Sequence, residues 1–234
     1  MTATSVRQDL RALADPDIAK HSARFFRTEP GGYGEGDKFL GIRIPKIRAL
    51  VREYRSLPER SLLSVLKSDY HEERMFAVLL LVDQYKRSDA DGKQRLCDLY
   101  LDYRRYVNNW DLVDSSAHLV LGPQLQHTHR NLLYELAESD ILWDRRIAMM
   151  ATYHYIRQGD FKDTLQLAEL LLQDPEDLMH KSVGWMLREV GNRDRKTEEA
   201  FLRKYYRTMP RTMLRYAIEK FPERLRKAYL RGKV

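Results

Sequence analysis

Residues 72–87 read EERMFAVLLLVDQYKR, a polar opening followed by large and small apolar residues. Met75, Val78, Leu79 and Val82 lie three or four positions apart, which is the spacing of one helical face. Four further segments have the same pattern: NNWDLVDSSAHLVLG (108–122), WDRRIAMMATYHYIRQG (143–159), HKSVGWMLREVGNRD (180–194) and PRTMLRYAIEKFPER (210–224). Strand-like alternation of apolar and polar residues is absent, so the sequence predicts an all-α fold.

The five segments recur at a nearly constant interval. Counted from Arg74 through Trp110 and Arg146 to Ser182, the step is about 36 residues. A helix pair of this length is the unit of HEAT-like α-solenoids, in which each pair buries its apolar face against its neighbours. We therefore expect residues 1–234 to form a single HEAT-like repeat domain, an α-solenoid whose five segments line a concave groove. An ordinary helical bundle with accidental self-similarity is the alternative.

The composition favours a polyanionic partner. Lys and Arg number 41 against 34 Asp and Glu, a net charge of +7, and such an excess favours binding to nucleic acid through counterion release. The predicted groove is accordingly expected to be basic. No apolar run approaches the roughly 18 residues of a membrane span. Cys97 is the only cysteine, and MTATSVRQDL at the start lacks a secretory apolar segment, so we expect a cytoplasmic protein without membrane association.

Most sequence patterns of catalysis are missing. There is no G-x-S-x-G elbow, and Cys97 lies in an apolar helical pattern typical of a core residue. The histidines are scattered, with no Cys/His cluster, so we expect neither a metal nor a cofactor. The glycine-rich tract TEPGGYGEGDK (28–38) lacks the Gly-Lys-Ser/Thr ending of a phosphate-binding loop and is interpreted as a connector.

The tryptophans form the one unusual pattern. Each of the three lies at or near an equivalent position of a repeated segment, with a charged residue one helical turn on: Trp110 with Asp114, Trp143 with Arg146, and Trp185 with Arg188. A lone tryptophan is usually a core residue, but three such pairs indicate a ligand surface. Asp111 is explained by the helix dipole, whereas Asp114 lies too deep in its helix for that explanation.

A carboxylate among indoles in a basic groove suits the stabilisation of a transient cation. Breaking the glycosidic bond of a nucleotide builds oxocarbenium character on the sugar, which a nearby anion stabilises. Indole faces favour cations as well. A base alkylated at a ring nitrogen already carries positive charge and departs without a general acid, so one carboxylate and a positioned water would suffice.

The sequence resembles the AlkD-like DNA alkylation-repair glycosylases, which are HEAT-like repeat proteins. The resemblance runs from about Ser22 to the last helix, and its motifs are FLGIRIP (39–45), NNWDLVD (108–114), WDRRIA (143–148) and KSVGWMLRE (181–189). It implies a concave basic surface that binds duplex DNA and excises cationic adducts such as 3-methyladenine and 7-methylguanine, without extruding the base. The tract at 28–38 looks longer than in the best-understood members and resembles a different branch.

The resemblance also implies individual roles. Asp114 would be the catalytic carboxylate, Trp110 and Trp185 would contact the deoxyribose and backbone at the lesion, and Arg146 would hold a phosphate. Trp143 and Arg188 are further candidates for DNA contact. Two alternatives stay open: a non-catalytic module that binds damaged or branched DNA, and a helical-repeat scaffold for an acidic protein partner. A monomer is expected in each case.

Overall fold

The computed structural model describes every residue from Met1 to Val234, and its regular structure is helical apart from an isolated bridge between Lys38 and Tyr70. The all-α prediction is confirmed. No helix has the length and apolar character needed to cross a membrane. The chain divides into two compact units, Met1–Ser116 and Ala117–Val234, and the single repeat domain remains a prediction.

The first unit contains seven α-helices and one 3-10 helix, Arg104–Tyr106. The α-helices are α1 (Ala3–Ala12), α2 (Pro16–Phe25), α3 (Ile44–Glu53), α4 (Glu59–Leu66), α5 (His71–Arg87), α6 (Ala90–Asp102) and α7 (Trp110–Asp114). Helix α5 packs against α1, α3, α4 and α6. It is therefore the central helix of this unit.

Helix α5 is buried on nearly all sides rather than along one face. Phe76, Ala77 and Leu80 are fully buried beside the predicted face residues Met75 and Val78. A helix buried on all sides belongs in a core, and five helices contact it here: α1, α3, α4, α6 and α7.

Cys97 is a core residue, as predicted. Its side chain is buried on α6, which packs against α5. Burial raises the pKa of the Cys97 thiol to about 12, with a smaller contribution from Asp98. A thiol in this environment stays protonated and is a poor nucleophile.

The short turn from α1 into α2 is tightly joined to the loop before α3. Asp15 caps α2, because its Oδ1 accepts from the backbone N–H of Asp17 and Ile18 (3.0 and 3.1 Å). Its backbone N–H donates to the carbonyl of Leu40 (2.9 Å). Gly41 follows with φ +82°, and a Cβ atom there would lie 2.0 Å from the carbonyl oxygen of Asp15. Only glycine fits this position.

The second unit contains nine α-helices and two 3-10 helices, Leu171–Gln173 and Ile218–Lys220. The α-helices are α8 (Ala117–Gln124), α9 (Asn131–Ala137), α10 (Leu142–Ala151), α11 (Tyr153–Ile156), α12 (Lys162–Leu170), α13 (Asp177–Gly191), α14 (Arg195–Tyr205), α15 (Arg211–Ala217) and α16 (Glu223–Leu230). Helix α13 packs against α10, α14 and α15. Gly184 lets α13 approach α15 closely, since a Cβ there would lie 2.4 Å from the carbonyl oxygen of Met213.

Two of the repeated segments are interrupted beside a buried hydroxyl residue. Segment 108–122 leaves α7 after Asp114, and segment 143–159 breaks at Thr152, between α10 and α11. At each break a buried hydroxyl bonds back to the helix. Ser116 Oγ donates to the carbonyl of Leu112 (2.7 Å), and Thr152 Oγ1 donates to that of Met149 (2.7 Å). Such bonds offer the backbone an alternative to the regular helical ladder.

Replacing Gly41 tests the tight junction before α3. We expect Gly41→Ala to lower the free energy of unfolding by at least about 2 kcal/mol more than Gly31→Ala. Both glycines have positive φ (+82° and +79°), which costs alanine about 1–2 kcal/mol, but only Gly41 adds a backbone clash. Urea unfolding of the two variants measures the difference, and equal losses would mean that the clash is relieved by a backbone shift.

Candidate active site

Helix α7 carries the predicted pair Trp110 and Asp114. The sequence predicts Asn108 or Asn109 as its cap, and the structure has Asn109, which is fully buried and accepts at Oδ1 from the backbone N–H of Trp110 (2.8 Å). The helix is only five residues long, so Trp110 opens it and Asp114 closes it, one turn apart. Both side chains are half-buried.

The Trp110 indole belongs to an aromatic cluster. Phe26 stacks on it with the ring centroids 5.5 Å apart and the planes at 20°. Phe25 meets the indole edge-on at 6.1 Å and is itself 57% exposed. Phe26 also stacks on Phe39, 5.1 Å away, and both rings lie 4.8 Å from the His71 imidazole. The end of α2 and the start of α5 thereby support Trp110.

His71 connects α5 to α7. Its Nε2 donates to Oδ2 of Asp111 (2.8 Å), and its Nδ1 lies 3.4 Å from Oδ2 of Asp37. The sequence explained Asp111 by the helix dipole alone. In the structure Asp111 also holds α7 to α5. The imidazole is 3% exposed.

Asp37 is the second carboxylate of this network. Its Oδ1 accepts from Arg74 (2.7 Å), and its Oδ2 lies 3.4 Å from the side-chain amide nitrogen of Asn109, the residue that caps α7. Arg74 also donates to the carbonyl of Ser68 (2.9 Å). Asp37 thus contacts His71 and Arg74 at the start of α5 and also Asn109, the cap of α7.

Ionisation of the network follows from its contacts. Burial opposes a charge on His71, but the hydrogen bonds with Asp111 and Asp37 outweigh it and raise the pKa of His71 to about 9. Burial likewise opposes a charge on Asp37, and His71 and Arg74 overcome it and hold the Asp37 pKa below its ordinary value. At neutral pH the cluster consists of two cations, His71 and Arg74, and two carboxylates.

The glycine-rich tract, interpreted from sequence as a connector, delivers Asp37 to this network. Tyr33 donates through its hydroxyl to the carbonyl of Phe25 (3.1 Å). Gly34 is buried, and a Cβ there would lie 2.3 Å from the carbonyl oxygen of Phe26. The backbone carbonyl of Lys38 accepts from the N–H of His71 (2.8 Å). These contacts pack the tract against α2 and the start of α5.

A cavity of about 800 Å³ opens in the first unit between α2 and α3. Phe26, Phe39 and His71 form part of its wall, and Ile44 and Met75 contribute apolar surface from α3 and α5. Neither member of the predicted pair on α7 lines it. Trp110 and Asp114 therefore lie outside this cavity.

In the second unit, Trp143 and Arg146 lie one turn apart on α10. Trp143 is half-buried, whereas Arg146 is only 4% exposed. One terminal nitrogen of Arg146 donates to the carbonyl of Leu178 (2.6 Å), at the start of α13. Arg146 therefore supports the packing of α13 in addition to any contact it makes with a ligand.

Trp185 and Arg188 lie one turn apart on α13, as predicted from their spacing. The indole N–H of Trp185 donates to Oε1 of Glu189 (3.4 Å), and the guanidinium of Arg188 pairs with Glu219. The Glu219 carboxylate is about half exposed. A phosphate that binds Arg188 would have to compete with this carboxylate.

The sequence missed Phe26, Asp37 and His71, and it interpreted Asp111 too narrowly. His71 looked like one of several scattered histidines. The available signal was HEER (71–74), four polar residues that directly precede an apolar run and begin the core helix. Nothing local indicates that these side chains point inward. No group of three or more His, Cys, Asp or Glu side chains could hold a metal ion.

Comparison with known proteins supplies the family context. The profile of a family described as DNA alkylation repair enzyme matches residues 6–221. Among solved structures, a chain described as a predicted DNA alkylation repair enzyme from Enterococcus faecalis matches with a TM-score of 0.67 at 15% identity, covering 90% of this chain and 97% of that chain. At that identity the likeness concerns the fold. No curated protein matches the sequence.

The buried network predicts a pH-dependent stability. Because the pKa of His71 is raised from 6.5 to about 9, its contribution is complete below pH 6.5 and is lost as the pH rises through 9. We expect the free energy of unfolding to fall by on the order of 2–3 kcal/mol over that interval. Chemical denaturation of the wild type and His71→Gln at several pH values measures this, and an equal slope in both would assign it to other groups.

Proposed function

This chain belongs to the AlkD-like DNA alkylation repair enzyme family, and we propose that it is a DNA glycosylase that removes cationic N3- or N7-alkylated purines from duplex DNA. The observation that carries the proposal is the pair on α7. Trp110 and Asp114 lie one turn apart on a short helix, with the indole supported by Phe26. An indole and a carboxylate held side by side are the groups that stabilise a sugar cation.

In the proposed reaction the bond between C1′ and the base nitrogen breaks, and its electron pair leaves with the base. The alkylated base carries positive charge beforehand, so it departs neutral and needs no proton from the protein. The deoxyribose acquires oxocarbenium character, which the Asp114 carboxylate stabilises. Water oriented by Asp114 then adds to C1′, and the proton that it loses passes to bulk solvent.

Trp110 is assigned the contact with the deoxyribose at the lesion. Phe26 stacks on its indole and supports one face of the ring. The electron-rich indole face attracts the sugar cation as it forms. Because Trp110 is half-buried, part of the indole stays accessible to DNA.

The second unit is proposed to supply the remaining DNA contacts. We assign Trp185 to the backbone at the lesion, Arg146 to a nearby phosphate, and Trp143 and Arg188 to flanking contacts. The net charge of +7 supports a polyanionic partner. A concave basic groove of HEAT-like repeats belongs to the same proposal, as do a monomeric state, a cytoplasmic location and a reaction without a cofactor.

Replacing the carboxylate tests the mechanism. We expect Asp114→Asn to reduce release of 3-methyladenine from methylated duplex DNA at least about a hundredfold, because the anion that stabilises the sugar cation is lost. Duplex affinity should be equal or higher, since a negative charge near the phosphates is removed. Base release and fluorescence anisotropy measure the two effects.

The matched control is Asp102→Asn, which removes an exposed carboxylate from the same unit. Unchanged turnover in Asp114→Asn would overturn the assigned role. Absence of release by the wild type, with salt-sensitive duplex binding intact, would instead identify a non-catalytic DNA-binding module. Absence of duplex binding would favour a protein scaffold.

The phosphate assignment of Arg146 is tested by salt dependence. We expect Arg146→Ala to weaken duplex binding across sequences and to lower the salt slope by about one ion. Arg157→Ala, an exposed arginine of the same unit, is the control. A loss of thermal stability without a change in affinity or slope would show that Arg146 is structural.

A further inference from the structure

The surroundings of His71 require both of its ring nitrogens to carry protons. Nε2 faces the carboxylate of Asp111 at 2.8 Å, and Nδ1 faces the carboxylate of Asp37 at 3.4 Å. A carboxylate only accepts hydrogen bonds, so both contacts are satisfied together only by the imidazolium. A neutral imidazole would turn one lone pair toward a carboxylate, which is unfavourable for a ring that is only 3% exposed.

The charges next to His71 on α5 have other partners, and Asp17, His21 and Arg43 line the same cavity as His71. Arg74 binds Asp37 and the Ser68 carbonyl. The carboxylate of Glu72, on the next residue, accepts three backbone N–H groups, from residues 40 to 42 at 2.8, 2.8 and 3.2 Å. Neither Arg74 nor Glu72 donates a hydrogen bond to Asp111. Loss of the His71 proton therefore weakens the attachment of Asp111 directly.

Asp111 in turn sets the orientation of α7. One turn of helix has little stability of its own, so tertiary contacts decide how it lies. Asp111 follows Trp110 directly and precedes Asp114 by three residues. A rotation of α7 about its axis would move the indole and the carboxylate together. The bond from His71 to Asp111 opposes that rotation.

We propose that protonated His71 is a positioning residue for base excision, which holds Trp110 and Asp114 in their reactive orientation through Asp111. This inference rests on the proposed glycosylase function. Excision of 3-methyladenine should then decline at alkaline pH, as the imidazolium loses its proton. We call this fall in the excision rate the alkaline limb. A His71 that is only structural would contribute to folding but would not produce the alkaline limb in the folded protein.

Two substitutions separate these cases. His71→Gln keeps an N–H donor for Asp111 but loses the positive charge, so its bond to Asp111 is weaker. We expect a single-turnover rate about tenfold to a hundredfold lower. The variant should show no alkaline limb, because glutamine does not titrate. Asp37→Asn keeps a similar shape and removes one of the two carboxylates at His71. Because an opposite charge raises a histidine pKa, the limb should move down by about one pH unit.

The control is Asp69→Asn, which removes an exposed carboxylate paired with Lys38 in the same unit and leaves the limb in place. Single-turnover release of 3-methyladenine is measured from pH 6 to 10, at temperatures where melting shows each variant folded. An NMR titration then identifies the His71 resonance as the one missing in His71→Gln. A limb that follows this resonance in the wild type and in Asp37→Asn supports the proposal, and a limb that stays fixed in Asp37→Asn overturns it.

A readout without turnover separates this proposal from the glycosylase assignment. Affinity is measured for a duplex that carries a cationic pyrrolidine in place of the lesion sugar, which reports the Asp114 carboxylate directly. We expect His71→Gln to lose affinity for this duplex but to keep its affinity for the unmodified one. Equal losses on both duplexes would overturn the positioning role, whether or not the wild type releases bases. If His71→Gln loses affinity only for the pyrrolidine duplex and the wild type releases no base, the positioning role of His71 is supported and only the glycosylase activity is rejected.

Discussion

The bonds made by the first turn of α5 hold the segments of the first unit together. His71, Glu72, Glu73 and Arg74 are each 4% exposed or less, and each bonds to a different part of the unit. His71 bonds to α7, Glu72 to the loop before α3, Glu73 to Arg7 of α1, and Arg74 to the glycine-rich tract. Burying four such groups is costly unless every charge is paired. The pairing therefore joins four segments at one turn.

Directional bonds are needed here because the segments they hold are short or irregular. Helix α7 has five residues, and residues 28–38 form no helix or named strand. Neither segment therefore has a long apolar face to bury. Apolar packing alone would let such segments slide or rotate, whereas a charge-assisted hydrogen bond has a preferred length and angle. The same network joins these segments, and we propose that it also orients the two residues of α7 that act on the sugar.

The proposed DNA contacts of the second unit differ in kind from the pair on α7. Arg146 is buried and bonded to the Leu178 carbonyl, and Arg188 pairs with Glu219. A phosphate would exchange with existing partners rather than meet unoccupied cations. Such an exchange gains less affinity per contact, but it favours a ligand whose geometry satisfies several groups together.

The sequence by itself determined the helical class, an asparagine cap at residue 108 or 109, and the one-turn spacing of Trp110 and Asp114. These depend on neighbours three or four residues apart, which the order of residues specifies directly. Only the tertiary structure decided that Asp37 and Asp111 meet at His71, from 34 and 40 residues away. A charged residue attracts any opposite charge, so its type does not identify its partner. The packing around α5 selects that partner by bringing these groups together at the start of the helix.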